Sequence, residues 1–82
     1  MKIYDYEGLK NISGNRIRQA RVTQRMSQAD LAAKMQLKGV ILEREAISKI
    51  ESGDRFVADY ELLTFANVFG VSLNWLTGQE GK

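Results

Sequence analysis

The chain has 82 residues, with twelve Lys and Arg against ten Asp and Glu, and it contains neither histidine nor cysteine. A domain of this size has one core and buries only roughly 60% of its unfolded surface, and the missing residue types exclude thiol nucleophiles, imidazole bases, disulfides, zinc fingers and iron–sulfur ligation. What remains is a binding domain that implies no cofactor or metal and no catalytic residue. The net charge of +2 is unevenly spread, with eleven basic and seven acidic residues up to Arg55 and one basic and three acidic after it, so the first part is the electropositive one.

The absence of proline and the abundance of Leu, Ala, Gln, Glu, Arg and Lys favour helices, with glycines as punctuation. Residues 1–12 read as an N-terminal extension. Its Ile3, Tyr4 and Tyr6 can cover a neighbouring surface, but it shows no sustained period and lacks the apolar stretch of a signal peptide. With no apolar run long enough to span a bilayer either, the chain is expected to be soluble and cytoplasmic.

Ser13 is expected to cap a first helix running to about residue 25, its hydroxyl accepting from an amide of the first turn. Ile17, Ala20, Arg21 and Gln24 then share a face, and Arg16, Arg18 and Arg25 project elsewhere. The second helix, over 27–35, has the sharpest start signal in the chain. Ser27-Gln28-Ala29-Asp30 has the form of a capping box, with Asp in place of the usual Glu, and Met26 is placed to staple onto Leu31. Leu31, Ala32 and Met35 form its buried stripe, and Gly39 breaks it.

A third helix over 43–52 should bury Ala46, Ile47 and Ile50, show Arg44, Glu45, Ser48 and Lys49 on its polar face, and end at a left-handed Gly53. A fourth, over 59–69, carries Leu62, Phe65, Ala66 and Phe69 at three- and four-residue spacing before Gly70. A short fifth begins at the cap Ser72 and holds Leu73, Trp75 and Leu76 up to Gly78. The fold class is therefore all-α, a single five-helix domain over 13–78 between the extension and a tail at 79–82, without repeats or low-complexity segments.

The second and third helices, joined by a turn, form the pattern of a helix-turn-helix, which on its own is common in small bundles. Three further strings are more specific: Met26-Ser27-Gln28-Ala29-Asp30-Leu31-Ala32, Ile47-Ser48-Lys49-Ile50-Glu51-Ser52-Gly53 and Phe69-Gly70-Val71-Ser72-Leu73-Asn74-Trp75-Leu76. In this order they resemble the signatures of the phage repressor and Cro family of XRE-type regulators, over about residues 12–78. The resemblance implies a lambda-repressor-like DNA-binding domain whose third helix enters the major groove of an operator.

Carried over position by position, the resemblance places Gln28 at the start of the second helix, where its amide meets a phosphate; the plainer alternative is a helix-favouring surface residue. Arg44, Glu45, Ser48 and Lys49 match the positions that approach base edges. Arg44 can fork onto guanine O6 and N7, Glu45 can accept from a cytosine amine, and Lys49 can reach a guanine or a phosphate. The competing account is a solvated face on which Glu45 and Lys49 form an i, i+4 ion pair worth about 0.2–0.5 kcal/mol. Arg21 and Glu51 match a pair that braces the recognition helix, and spacing does not say whether that pair is buried or exposed. Gly53-Asp54-Arg55 falls where family members clamp phosphate with backbone amides and a basic side chain, Arg55 being the donor, although Asp54 stands where a basic residue is common.

The turn departs from the pattern. Residues 36–42 make it longer than in the shortest family members, and Glu43 stands where a capping Ser or Thr is usual. Leu37, Val40, Ile41 and Leu42 are expected to bury themselves, and Lys38 either touches phosphate or is simply solvated. The family's habit of binding as twofold dimers implies a homodimer, with Val71, Leu73 and Trp75 as candidates for the contact, core packing being the alternative for Trp75. The expected function is sequence-specific binding of double-stranded DNA by a transcriptional regulator acting as a repressor. The alternative is a protein-binding adaptor such as an antitoxin or anti-repressor partner, which the modest charge and the acidic Glu43, Glu45 and Asp54 favour.

Overall fold

In the computed structural model, which describes residues 6–79, five helices follow one another: α1 Gly14–Thr23, α2 Gln28–Leu37, α3 Arg44–Ser52, α4 Asp59–Phe69 and α5 Leu73–Leu76. The architecture is all-α. Extended pairing among the described residues is confined to one isolated bridge between Tyr6 and Leu9. Ile3 and Tyr4 of the extension and residues 80–82 of the tail lie outside the described residues.

The capping box of α2 forms as its sequence dictates. The Asp30 amide donates to Ser27 Oγ at 2.9 Å, and the Ser27 amide donates back to Asp30 Oδ2 at 2.9 Å. That backbone hydrogen bond, with the Ser27 hydroxyl second, holds the Asp30 carboxyl below its ordinary pKa. At α5 the Trp75 amide donates to Ser72 Oγ at 3.0 Å.

The start of α1 is built differently from the expectation. Ser13 occupies the N-cap position but is itself in the helical region, with φ −102° and ψ −14°, and its hydroxyl makes no cap hydrogen bond. The cap comes from Asn11, whose Oδ1 accepts from the Gly14 amide at 2.7 Å. At its other end α1 stops short of Arg25, which takes a left-handed φ of 59° and turns the chain toward α2.

Ile17, Leu31, Met35, Ile47, Ile50, Phe65 and Leu76 are all inaccessible to solvent, so every helix contributes to one core. Phe65 and Phe69 stack within it, their centroids 6.3 Å apart. The lengthened turn corrects the expectation of four buried side chains. Leu42 is buried and Val40 packs against the core, but Leu37 is 87% exposed and Ile41 70%. Leu37 lies two positions beyond buried Met35, about 200° around the helix, and so faces away from the core. Ile41 sits between two inward residues of a non-helical segment, where successive side chains alternate in direction.

Candidate nucleic-acid interface

The period of α3 separates its residues into two faces. Ile47 and Ile50 are fully buried, while Arg44, Glu45, Ser48 and Lys49 are exposed on the opposite face. The side chains of these four make no hydrogen bond or ion pair with any described residue, so the Glu45–Lys49 ion pair weighed from the sequence is not formed. An open groove of about 600 Å³ runs along this helix, with Ile41 and Glu43 near its start, Glu45 and Lys49 along it, and Asp54 near its end.

Behind the helix, Arg21 and Glu51 meet. Arg21 Nε donates to Glu51 Oε2 at 2.7 Å and Nη2 donates to Oε1 at 3.1 Å, while Nη1 donates to the Met26 carbonyl at 2.8 Å. Their side chains are 12% and 4% exposed, so the pair is largely shielded from solvent, most completely at the carboxylate. The hydrogen bonds it donates to Glu51 raise the Arg21 guanidinium above its ordinary pKa, against the opposing effect of burial. One ion pair thus ties α1 to the last turn of the exposed helix and to the entry of α2.

The residues expected at phosphate are arranged less simply. Gln28, half-buried at the start of α2, donates from Nε2 to Glu51 Oε1 at 3.2 Å and so belongs to the brace. Arg55 is engaged with Glu61, donating from Nη1 to Oε1 at 3.0 Å and from Nη2 to Oε2 at 3.2 Å, and with the Phe56 carbonyl at 2.8 Å. The amides of Gly53 and Asp54 donate to the Ile50 and Lys49 carbonyls and so are taken up in closing the end of α3. Lys38 is exposed.

Burial pushes the Glu61 carboxyl up, but hydrogen bonds from Arg55 and from the Ala58 amide, with the Arg55 charge, prevail and hold it below its ordinary value. A carboxyl held down by folding adds stability above its unfolded pKa, and that contribution is lost as pH falls through the folded one. Arg55 and Glu61 thereby fasten the loop after α3 to α4.

Sequence reasoning missed a second brace, centred on Asn11. Its Nδ2 donates to the carbonyls of Ile50 at 3.0 Å and Arg55 at 2.8 Å, while its Oδ1 caps α1. The preceding residues form a tight turn in which Glu7 and Gly8 both have positive φ, 52° and 85°. Lys10 then donates its amide to the Gly53 carbonyl at 2.8 Å and places its ammonium 5.9 Å from the centre of the Phe56 ring. The described part of the extension is therefore docked on the end of α3. Only the polarity of Asn11 just before a helix start hinted at its cap, and nothing local announces bonds to residues 39 and 44 positions away.

Of the residues proposed for a contact between copies, Val71 and Trp75 pack against the chain's own core, and the Arg16 guanidinium lies 4.9 Å from the Trp75 ring centre. Leu73 is 42% exposed. No described helix is long and apolar enough to cross a membrane.

A family model described as helix-turn-helix matches residues 17–76, which takes in all of α2, the turn and α3. Among curated proteins none matches the chain.

Proposed function

The chain belongs to the helix-turn-helix family of XRE-type, lambda-repressor and Cro-like DNA-binding regulators, and on that premise we propose that it is a sequence-specific repressor reading the major groove of double-stranded DNA with α3. The observation that carries this reading is the contrast between the two sides of that helix. Its outer side chains Arg44, Glu45, Ser48 and Lys49 are exposed and uncommitted, while its inner side is held by the Arg21–Glu51 pair and by Asn11. A rigidly held helix with unpaired polar groups is suited to base edges, because few side-chain partners must be given up on docking.

Arg44 is the first residue of α3, at the end from which helix-turn-helix proteins contact bases, and its fork matches guanine O6 and N7. Glu45 accepts from a cytosine amine, and Ser48 and Lys49 extend the contact along the groove. Lys38 supplies phosphate contact, and Gln28 joins it by exchanging its bond to Glu51 for one to phosphate. Arg55 contributes positive charge near the backbone in the same way, by loosening from Glu61. A homodimer places two such helices on half-sites about 34–36 Å apart, with Leu73 the most exposed of the C-terminal candidates for the contact. Binding rather than catalysis, in the cytoplasm where the DNA lies, completes the reading.

The adaptor alternative draws on Glu43, Glu45 and Asp54, three carboxylates that line the groove beside α3. Selection of duplexes from a random pool separates the two. Wild type is expected to enrich a palindromic site, with an affinity that falls steeply with salt as bound phosphates release counterions. Arg44→Ala is expected to lose about 1–3 kcal/mol of discrimination at one base pair per half-site. Failure to enrich any sequence, with every Lys and Arg substitution weakening residual binding alike, would remove the specific-repressor reading and leave a protein partner.

A further inference from the structure

The segment that leads into α3 carries a large aliphatic side chain for which the fold has no use. Val40 packs against the core and Leu42 is 6% exposed, but Ile41 between them is 70% exposed. The backbone here is anchored at both ends. The Val40 amide donates to the Met35 carbonyl at 3.1 Å, and the Glu43 carbonyl accepts from the Ile47 amide at 3.1 Å. The exposure of Ile41 is therefore set by an alternation whose two inward members are fixed in the core.

Ile41 stands three residues before Arg44 and lines the same groove as Glu45, Ala46 and Lys49. Leu37, though more exposed, lines a different groove with Asp30 and Lys34 on α2 and has no part in this site. The Ile41 side chain is branched at Cβ, so its direction is restricted before any partner arrives and little rotamer freedom is lost on contact. It offers no hydrogen bond to a base edge or to phosphate. Of the charged side chains that share its groove, moreover, Glu43, Glu45 and Asp54 outnumber Lys49 and Arg55, and Arg55 is paired with Glu61, so the spot does not favour a phosphate group. An uncharged apolar group is what the position accepts, and the apolar group that the DNA major groove presents is the C5-methyl of thymine.

We propose that Ile41 reads the C5-methyl of a thymine in each half-site, adding a specificity contact from the lengthened turn to those made by α3. This rests on the reading of the chain as a DNA-binding regulator given above.

The test replaces each thymine of the selected duplex in turn by uracil, which removes the methyl and leaves base pairing intact, and measures the affinity of wild type and of Ile41→Ala. At one position per half-site, uracil is expected to weaken wild-type binding about fourfold, the ratio that burial of one methyl group carries. Ile41→Ala is expected to bind the thymine duplex more weakly than wild type does and to be indifferent to uracil at that position. Because Ile41 lies outside the core, the variant should keep the wild-type melting temperature, which separates a lost contact from a lost fold. The proposal is overturned if wild type ignores every uracil, if Ile41→Ala remains as sensitive as wild type, or if the selected half-site holds no thymine. In each of those cases successful selection leaves the DNA-binding reading standing. Failure to select any duplex overturns both.

Discussion

Glu51→Ala is expected to destabilise the domain by about 3–5 kcal/mol, the range for removing one partner of a buried ion pair. Glu51 is 4% exposed, and its loss leaves the Arg21 guanidinium, 12% exposed, with the Met26 carbonyl as its one remaining partner. Gln28 loses its acceptor at the same stroke. Most of the penalty is thus the stranded charge rather than the net worth of the pair. It follows that Arg21→Met combined with Glu51→Leu should lie much closer to wild type than the sum of the two single changes. Urea unfolding of Glu51→Ala, of the two single changes and of the double variant measures this directly. A single-variant loss below about 1 kcal/mol would place the pair with exposed ion pairs instead, and the brace behind α3 would have to be sought elsewhere.

Gly14→Ala is expected to destabilise although it replaces glycine by the best helix former. Helix propensity alone favours alanine by about 1 kcal/mol. Here, however, a Cβ on Gly14 would collide with the Ile50 carbonyl oxygen and stand 3.0 Å from Asn11 Oδ1. The first of these is backbone at the buried side of α3 and has no rotamer to yield. The second is the cap of α1 and already accepts from Gly14 itself. Overpacking of this kind costs about 1–3 kcal/mol and occasionally more, and since backbone is struck the upper end applies, for a net loss of about 2 kcal/mol. A melting temperature lower by roughly 8–16 °C is the expected reading for a domain of this size. A rise instead would show that α1 and α3 do not approach closely at this point.

The parts of the fold legible in the sequence are those whose determinants are local. Ser27 and Asp30 announce the start of α2 because a capping box is closed within four residues. Gly53 and Gly70 mark the ends of α3 and α4 because both sit at positive φ, 86° and 70°, where a side chain is strained. The polar face of α3 was legible for a similar reason, since one helical period assigns Ile47 and Ile50 inward and Arg44, Glu45, Ser48 and Lys49 outward.

The failures have one physical origin. Ser13 has the right chemistry to cap but the wrong backbone conformation, and Asn11 displaces it because its amide is also held from α3 and the loop beyond. Leu37 and Ile41 were expected inside because they are apolar, whereas their direction is decided by which neighbours the core claims first, Met35 and Leu42. Arg55 was read from its position after α3, and Glu61, six residues on and mostly buried, takes its guanidinium. The resemblance supplied Arg21 and Glu51 as a pair, but only the packing of α1 against α3 decides that it is buried. Each of these outcomes depends on tertiary contacts that no local window contains.

Entry of α3 into the major groove with Arg44 at a guanine can be read from base methylation on the selected duplex. Dimethyl sulfate marks guanine at N7 in the major groove and adenine at N3 in the minor groove. N7 methylation of a half-site guanine is expected to block wild-type binding, Arg44→Ala to lose this sensitivity at that guanine, and N3 methylation of adenine to be tolerated within the half-sites. Interference confined to adenine N3, or sensitivity at guanine N7 that Arg44→Ala leaves unchanged at every position, would contradict that placement of α3.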